Sequence, residues 1–244
     1  MDDSLYLYGI FPLPGPQAVN VQGMDQQPVS SHTLDGFSFL YSQAQQEKYL
    51  ASRRNLLCHE KVLEQVMAEG FTTLLPLRFG LVVKTWESVS EQLTKPYQAQ
   101  LEELFAKLAG RQEVSVKVFW DSKFELQALM EANQNLQQKR DSLTGKMLSM
   151  DDAIAIGQMI ESGLENRKQT VRNAFRDRLN SLAVEVVESD TLTEEMIYNA
   201  AYLIPWESEA KFSEIVETID QSFEGRLRIR YNNFTAPYTF AQLS

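Results

Sequence analysis

Val114-Ser115-Val116-Lys117-Val118-Phe119-Trp120 alternates strictly, with Val114, Val116, Val118 and Trp120 on one side. A period of two marks a strand with one buried face. Downstream, a long helical region runs from about Ser122 to Asn180. It is expected to break at Asp141-Ser142 and near Ser149, where Ser149-x-x-Asp152 resembles a capping box. Its last part repeats Ile156, Ile160, Leu164, Val171, Phe175 and Leu179 at close to the helical period. Leu182–Glu188 reads as a strand with Leu182, Val184 and Val186 inward, Asp190–Glu195 as a turn, and Ala200–Trp206 as the next strand.

Lys211–Phe223 then places Phe212, Ile215, Val216, Ile219 and Phe223 on one helix face, with Gly225 just past its end. Arg226–Tyr231 alternates arginine with Leu227, Ile229 and Tyr231. The order from 113 to 231 is therefore β-α-β-β-α-β, the pattern of a ferredoxin-like α+β sandwich. The first crossover is too long for one helix of that fold, so a helical insertion over about 122–180 is expected.

Upstream, Leu5–Phe11 reads as a strand stopped by Pro12, Pro14 and Pro16. Residues 17–33 read as hairpin and loop, and Phe37–Tyr41 as a second strand. A helix is expected from about Gln45 to Glu69, with Leu56, His59, Leu63, Val66 and Met67 on one face and Gly70 as terminator. Leu74-Leu-Pro-Leu-Arg-Phe-Gly80 reads as a buried strand interrupted by proline, continued by Leu81–Val83. Thr85–Leu93 and Pro96–Leu108 read as two helices, the second opened by proline and closed by Gly110. The expected class is α+β. An N-terminal α+β domain spans 1–110 and a ferredoxin-like domain with its insertion spans 111–231. A C-terminal tail, 232–244, carries Phe234, Tyr238 and Phe240 and is expected to dock on both.

The 244 residues are 43% hydrophobic, enough to build a core, and carry a net charge of -10. That charge disfavours a general nucleic-acid binder, whose affinity rests on Lys and Arg against phosphate. It equally disfavours anionic lipid. A single cysteine, Cys58, cannot form an intrachain disulfide. The acidic start, Met1-Asp2-Asp3-Ser4, lacks a signal-peptide pattern, and no apolar run approaches the ~20 residues of a membrane span. Without secretion, the sequon at Asn233-Phe234-Thr235 is a chance match.

No residue set amounts to an active site. Cys58 and His59 are adjacent on a helix and point about 100° apart, a poor dyad. His59 lies on the apolar stripe and reads as a hydrogen-bonded core or interface histidine. His32, in Ser-Ser-His-Thr, reads as a loop residue. Two histidines and one cysteine are too few for a structural zinc site. Thr144-Gly145-Lys146 resembles the end of a phosphate loop, but the leading glycine would fall at Arg140. Arg226, Arg228 and Arg230 share a strand face. Stacking aromatics in the RNA-binding pattern are missing, so an exposed face or pairing with glutamates is favoured. Arg78 has two readings: a structural arginine paired with Glu60, Glu64 or Glu69, which is favoured, or a group that recognises a partner's carboxylate.

Several stretches together resemble the gas vesicle protein F/L family (GvpF/GvpL). They are Leu5-Tyr6-Leu7-Tyr8-Gly9-Ile10, His59-x-x-Val62-Leu63-Glu64, Leu75-Pro76-Leu77-Arg78-Phe79-Gly80, Glu113–Val118, Leu227–Tyr231 and Pro237-Tyr238-Thr239-Phe240. They span nearly the whole chain in family order. One departure is Asn233-Phe234-Thr235-Ala236, where the family often has a glycine- and proline-rich approach to the Pro-Tyr pair. The resemblance implies a non-enzymatic accessory or minor structural protein of the gas vesicle, inside the cell, with no cofactor. It implies a role in assembly, with the hydrophobic major shell protein (GvpA-like) and other accessory proteins as partners, and neither nucleic acid nor membrane. Arg78, Phe79, Phe234, Tyr238 and Phe240 are the candidate partner-binding or interdomain residues. For the three tail rings two readings stand: a surface that covers apolar shell protein, or staples that hold the two domains together, which is favoured. The alternative function is a small-molecule-binding regulatory ferredoxin-like module, whose glycine-rich ligand loop is not found.

Overall fold

Every residue from Leu5 to Phe11 is buried, so the first strand, β1 (Leu5–Pro12), has protein on both faces. The computed structural model describes residues 4–17, 19–143 and 149–243; the Thr144-Gly145-Lys146 triplet lies outside them. The fold is α+β with two antiparallel sheets. The chain divides into two units: Met1–Val114 with Leu203–Glu207 and Asn233–Ser244, and Ser115–Tyr202 with Ser208–Asn232.

In the first unit β1 lies between β3 (Phe37–Gln43) and the short β4 (Leu75–Pro76), with β2 (Ser30–Leu34) outside β3 and β5 (Val82–Val83) also paired to β1. β2 occupies part of the stretch read as hairpin and loop. His32 is therefore a strand residue, stacked on Trp86 with ring centroids 4.0 Å apart. The signal was present in Asp35-Gly36, whose φ values of 48° and 86° make the two-residue turn that joins twisted strands. Helix α1 (Arg53–Ala68) begins later than expected, where Ser52 accepts from the Asn55 amide. Its buried residues are His59, Val62, Leu63, Val66 and Met67. Leu56, placed on the stripe by the sequence, is 38% exposed because it sits in the first turn, before the helix reaches the sheet. Val62, Leu63 and Val66 pack with Tyr6, Tyr8 and Leu74 and have no exposed surface. Each such side chain contributes about 1.5–3 kcal/mol by burial.

The two helices expected after β5 form one helical run: α2 (Trp86–Val89), a π turn over Ser90–Thr94, and α3 (Lys95–Leu108). The Asp35 carboxylate accepts from the hydroxyls of Ser90 and Thr94, tying the hairpin tip to that turn. These hydrogen bonds hold the Asp35 pKa below its usual range.

In the second unit, β6 (Arg111–Trp120) leads to α4 (Ser122–Ala132), α5 (Gln134–Leu143) and α6 (Met150–Leu179). Then follow β7 (Glu185–Glu188), β8 (Met196–Pro205), α7 (Glu209–Ser222) and β9 (Leu227–Thr235). The sheet order is β7-β8-β6-β9. The helical region has a further break at Asn133, whose side chain caps α5 through the amides of Asn135 and Leu136, and α5 ends at Leu143, next to the expected break at Asp141-Ser142. Ser149 caps α6 as its spacing predicts, accepting from the Asp152 amide at 3.1 Å. The apolar stripe of α6 is fully buried only at Val171, Phe175 and Leu179; Met150 and Ile154 stand 82% and 53% exposed. The predicted strand start at Leu182 is a 3-10 turn, so Val184 falls outside β7 and is exposed. β8 starts earlier than Ala200. Its Tyr198 and Tyr202 share a 2.7 Å hydroxyl bond and face Phe175 and Phe212.

One buried carboxylate organises this unit. Glu125 on α4 has no exposed side-chain surface. It accepts from Arg226 in three contacts of 2.6–2.8 Å and from Arg167 on α6 at 2.8 Å. α4 lies against α6 because Gly163 has no side chain: a Cβ there would come within 2.8 Å of the Leu129 methyls. Arg226 thus follows the expectation of pairing with a glutamate. Removing one partner of a buried pair leaves the other charges without compensation. Glu125→Ala is therefore expected to lower the unfolding free energy by about 3 kcal/mol, read from urea denaturation. Unaltered stability would contradict the role given to Glu125.

Candidate functional site

β4 and β5 pair with the same strand, β1, through Ile10↔Leu75 and Gly9↔Pro76, then Tyr6↔Val82 and Leu5↔Val83. Between them the chain leaves the ladder and arches over Arg78-Phe79-Gly80. The expected buried strand Leu74–Gly80 is thus reduced to Leu75–Pro76. At the two feet of the arch, Leu77 N donates to Tyr8 O at 2.8 Å and Leu7 N donates to Leu81 O at 3.0 Å. Gly80 makes the return turn at φ 83°, a conformation costly for any residue with a Cβ.

The arch is fastened from below by two buried side chains. The Gly80 amide donates to Tyr6 Oη at 3.0 Å. Tyr6 Oη lies 3.0 Å from His59 Nδ1, and His59 Nε2 lies 3.2 Å from Leu77 O. A carbonyl only accepts, so Nε2 carries the proton and Nδ1 accepts from the tyrosine hydroxyl. Both ends of the arch are therefore held by one neutral histidine and one tyrosine. Phe79 packs edge-on to both rings, at centroid distances of 6.3 and 6.0 Å.

Arg78 is exposed and makes no hydrogen bond or ion pair with a described residue. The expected pairing with Glu60, Glu64 or Glu69 is not made, and Arg78 stands exposed to solvent at the crest of the arch. The bond between this stretch and α1 comes from His59 instead. His59 is 1% exposed, and with both ring nitrogens occupied it does not activate Cys58. Burial raises the pKa of the Cys58 thiol, which favours the unreactive form.

The tail rings separate. Phe240 is 2% exposed, with Lys107 Nζ 5.5 Å from its ring centroid. Tyr238 is half-buried against the first unit's core, and its hydroxyl has no partner among the described residues. Phe234 lies in β9 and is 37% exposed. The tail is anchored by Glu113, 5% exposed, which accepts from the Thr239 amide at 2.8 Å and its hydroxyl at 2.7 Å. Sequence reading missed Glu113 as an anchor; its position among alternating valines on β6 was the available signal.

Among the described residues, no group of three or more His, Cys, Asp or Glu is placed to hold a metal ion. No described helix is long and apolar enough to cross a membrane.

The histidine makes the arch pH-dependent. Burial lowers the His59 pKa from 6.5 to about 4. The unfolded chain therefore binds the proton more readily, and stability is fully present above about pH 6.5 and lost as pH falls toward about 4. The contribution is about 3 kcal/mol. Stability measured by denaturant from neutral to acidic pH is expected to fall more steeply in the native chain than in His59→Gln. Equal slopes would show that His59 is not held neutral.

Comparison with known proteins completes the description. A sequence model of the family described as "Gas vesicle synthesis protein GvpL/GvpF" matches residues 4–242. Gas vesicle protein F of Nostoc sp. (strain PCC 7120) is 66% identical over 244 residues, covering 100% of both chains. The crystal structure of the gas vesicle protein GvpF from Anabaena sp. PCC7120 matches with a TM-score of 0.92 at 66% identity, over 99% of each chain. That of GvpF from Microcystis aeruginosa matches with a TM-score of 0.86 at 65% identity, over 99% of this chain and 100% of the other. With the family matched along nearly its whole length, the chain belongs to the gas vesicle synthesis protein GvpL/GvpF family.

Proposed function

We propose that the chain is a non-enzymatic accessory and minor structural protein of the gas vesicle, which binds the hydrophobic major shell protein (GvpA-like) during assembly and limits its aggregation. Other accessory proteins of the vesicle complete its partner set. Membership in a gas vesicle family supports the place of action. The observation that carries the binding role is the Arg78 arch: an exposed guanidinium, unpaired among the described residues, beside a half-buried phenyl ring, on backbone fixed at both ends. Such a group is already in place for a carboxylate or a set of carbonyls on a partner, and Phe79 supplies apolar surface next to it. A shell protein that buries apolar surface against its own copies needs that surface covered before assembly.

The fold reading that goes with this role is a pair of domains, 1–110 and a ferredoxin-like domain over 111–231 with a helical insertion, followed by the tail. The order β7-β8-β6-β9 supports the ferredoxin-like part. Numbered within the motif it places the first and third strands at the centre, as in βαββαβ sandwiches.

Arg78→Ala tests the role. The side chain is exposed and makes no hydrogen bond or ion pair with a described residue, so the unfolding free energy is expected to change by less than about 0.5 kcal/mol. Capture of the purified shell protein is expected to fall severalfold. Full capture at unchanged stability would remove Arg78 from the binding surface.

A further inference from the structure

The second unit carries a separate basic feature that the shell-protein reading does not use. Arg228 and Arg230 lie two residues apart on β9, and both are exposed. Their guanidinium carbons sit 4.6 and 5.1 Å from the centroid of the same ring, Phe119. That ring is 6% exposed. Neither arginine makes a hydrogen bond or ion pair with a described residue. Arg226, by contrast, is spent on the buried Glu125. Two like charges are thus stacked on one fixed ring in a chain of net charge -10, with their donors facing solvent.

We propose that Arg228 and Arg230 are the docking surface for an acidic segment of a partner protein, lying extended along β9 with carboxylates at alternate positions. Three observations fix the occupant. Strand periodicity spaces the arginines by about 7 Å, the repeat of every second residue in an extended chain. β9 ends the sheet order, so no described strand pairs with its outer edge, and its backbone can take up an added strand. The planar donor fork of arginine matches a carboxylate in two parallel bonds. In a chain of net charge -10, two adjacent exposed arginines are a local exception that favours an acidic segment here. A nucleic acid fits less well, because the Phe119 ring is covered by the guanidinium groups and the neighbouring Trp120 is 5% exposed, so neither offers a free face to a base. The cavity of about 610 Å³ beside Arg228 is also lined by Asp121, Glu194 and Glu195, none within ion-pair distance of it.

The test uses the full chain and a dye-labelled peptide with glutamate at alternate positions, read by fluorescence anisotropy against its glutamine counterpart. The glutamate peptide is expected to bind, more weakly as salt rises. Arg228→Ala/Arg230→Ala is expected to weaken it at least about tenfold, the loss of one or two charge-assisted bonds. Arg228→Gln/Arg230→Gln, which keeps the side-chain bulk over Phe119, is expected to do the same and carries the test if the alanine pair unfolds. Equal binding of the two peptides, or undiminished binding to the variants, would overturn the proposal. Displacement of the peptide by single-stranded RNA at lower concentration would reassign the surface to nucleic acid. A concentration-dependent dimer abolished by the same substitutions, without peptide binding, would reassign it to a second copy of the chain.

Discussion

The short hydrogen-bonded path from the Gly80 amide through the Tyr6 hydroxyl to His59, and from His59 to the Leu77 carbonyl, joins three parts of the chain far apart in sequence. Tyr6 belongs to the strand at the centre of the first sheet, His59 to the helix packed over it, and Leu77 and Gly80 to the two ends of the arch. Each group needs the others. A buried tyrosine hydroxyl and imidazole without partners would each cost on the order of 1–3 kcal/mol. An arch without them would leave the Gly80 amide unpaired. The path also sets the protonation state: Nδ1 accepts, so a second proton on the ring would break the tyrosine bond and charge a buried site. Two neighbouring tyrosines, Tyr8 and Tyr49, follow the same rule, whereas the Tyr238 hydroxyl is buried without a partner among the described residues. Tyr8 receives the Met24 amide at 2.7 Å and pairs with Ser42, and Tyr49 donates to Asp25.

That constraint explains why a charge can stand inside the most apolar signature of the sequence. Leu75-Pro76-Leu77-Arg78-Phe79-Gly80 interrupts its pairing with β1 at the one place where proline, glycine and arginine occur together. Pro76 has no amide to give the ladder, Gly80 turns the chain back, and Arg78 occupies the crest. Leu75 stays inside, Leu77 is half-buried and the guanidinium stays in water, so the desolvation penalty of a buried arginine never arises. The second unit solves the opposite problem. There the buried charge is Glu125, and Arg167 and Arg226 supply the compensation. Its other strand arginines remain outside, on Phe119.

Much of this was legible from periodicity. The alternation of Val114–Trp120, the stripe of Lys211–Phe223 and the Ser149 cap all appear as read, because each is a local pattern with a local cause. His59 was correctly placed inside, since a histidine on an apolar stripe must be buried with partners. What periodicity could not supply were choices made across the sheet. An arginine inside an apolar run reads as buried and therefore paired, which points to the glutamates of α1. Whether a residue at the crest of an arch faces the helix depends on how β4 and β5 register on β1. Polar Ser-Ser-His-Thr lacks apolar alternation and so reads as loop; Trp86, far along the chain, is what makes His32 a packed strand residue. The tail rings had equal claims by composition, and only the Glu113 anchor separates buried Phe240 from exposed Phe234.

The central claim is that one neutral histidine, protonated on Nε2, holds the arch that presents Arg78. Nitrogen-resolved NMR of the His59 ring tests it most directly. The account predicts a protonated Nε2, a hydrogen-bond-accepting Nδ1, and no titration until about pH 4. A ring protonated on Nδ1, or one that titrates near 6.5 like a histidine in water, would contradict it.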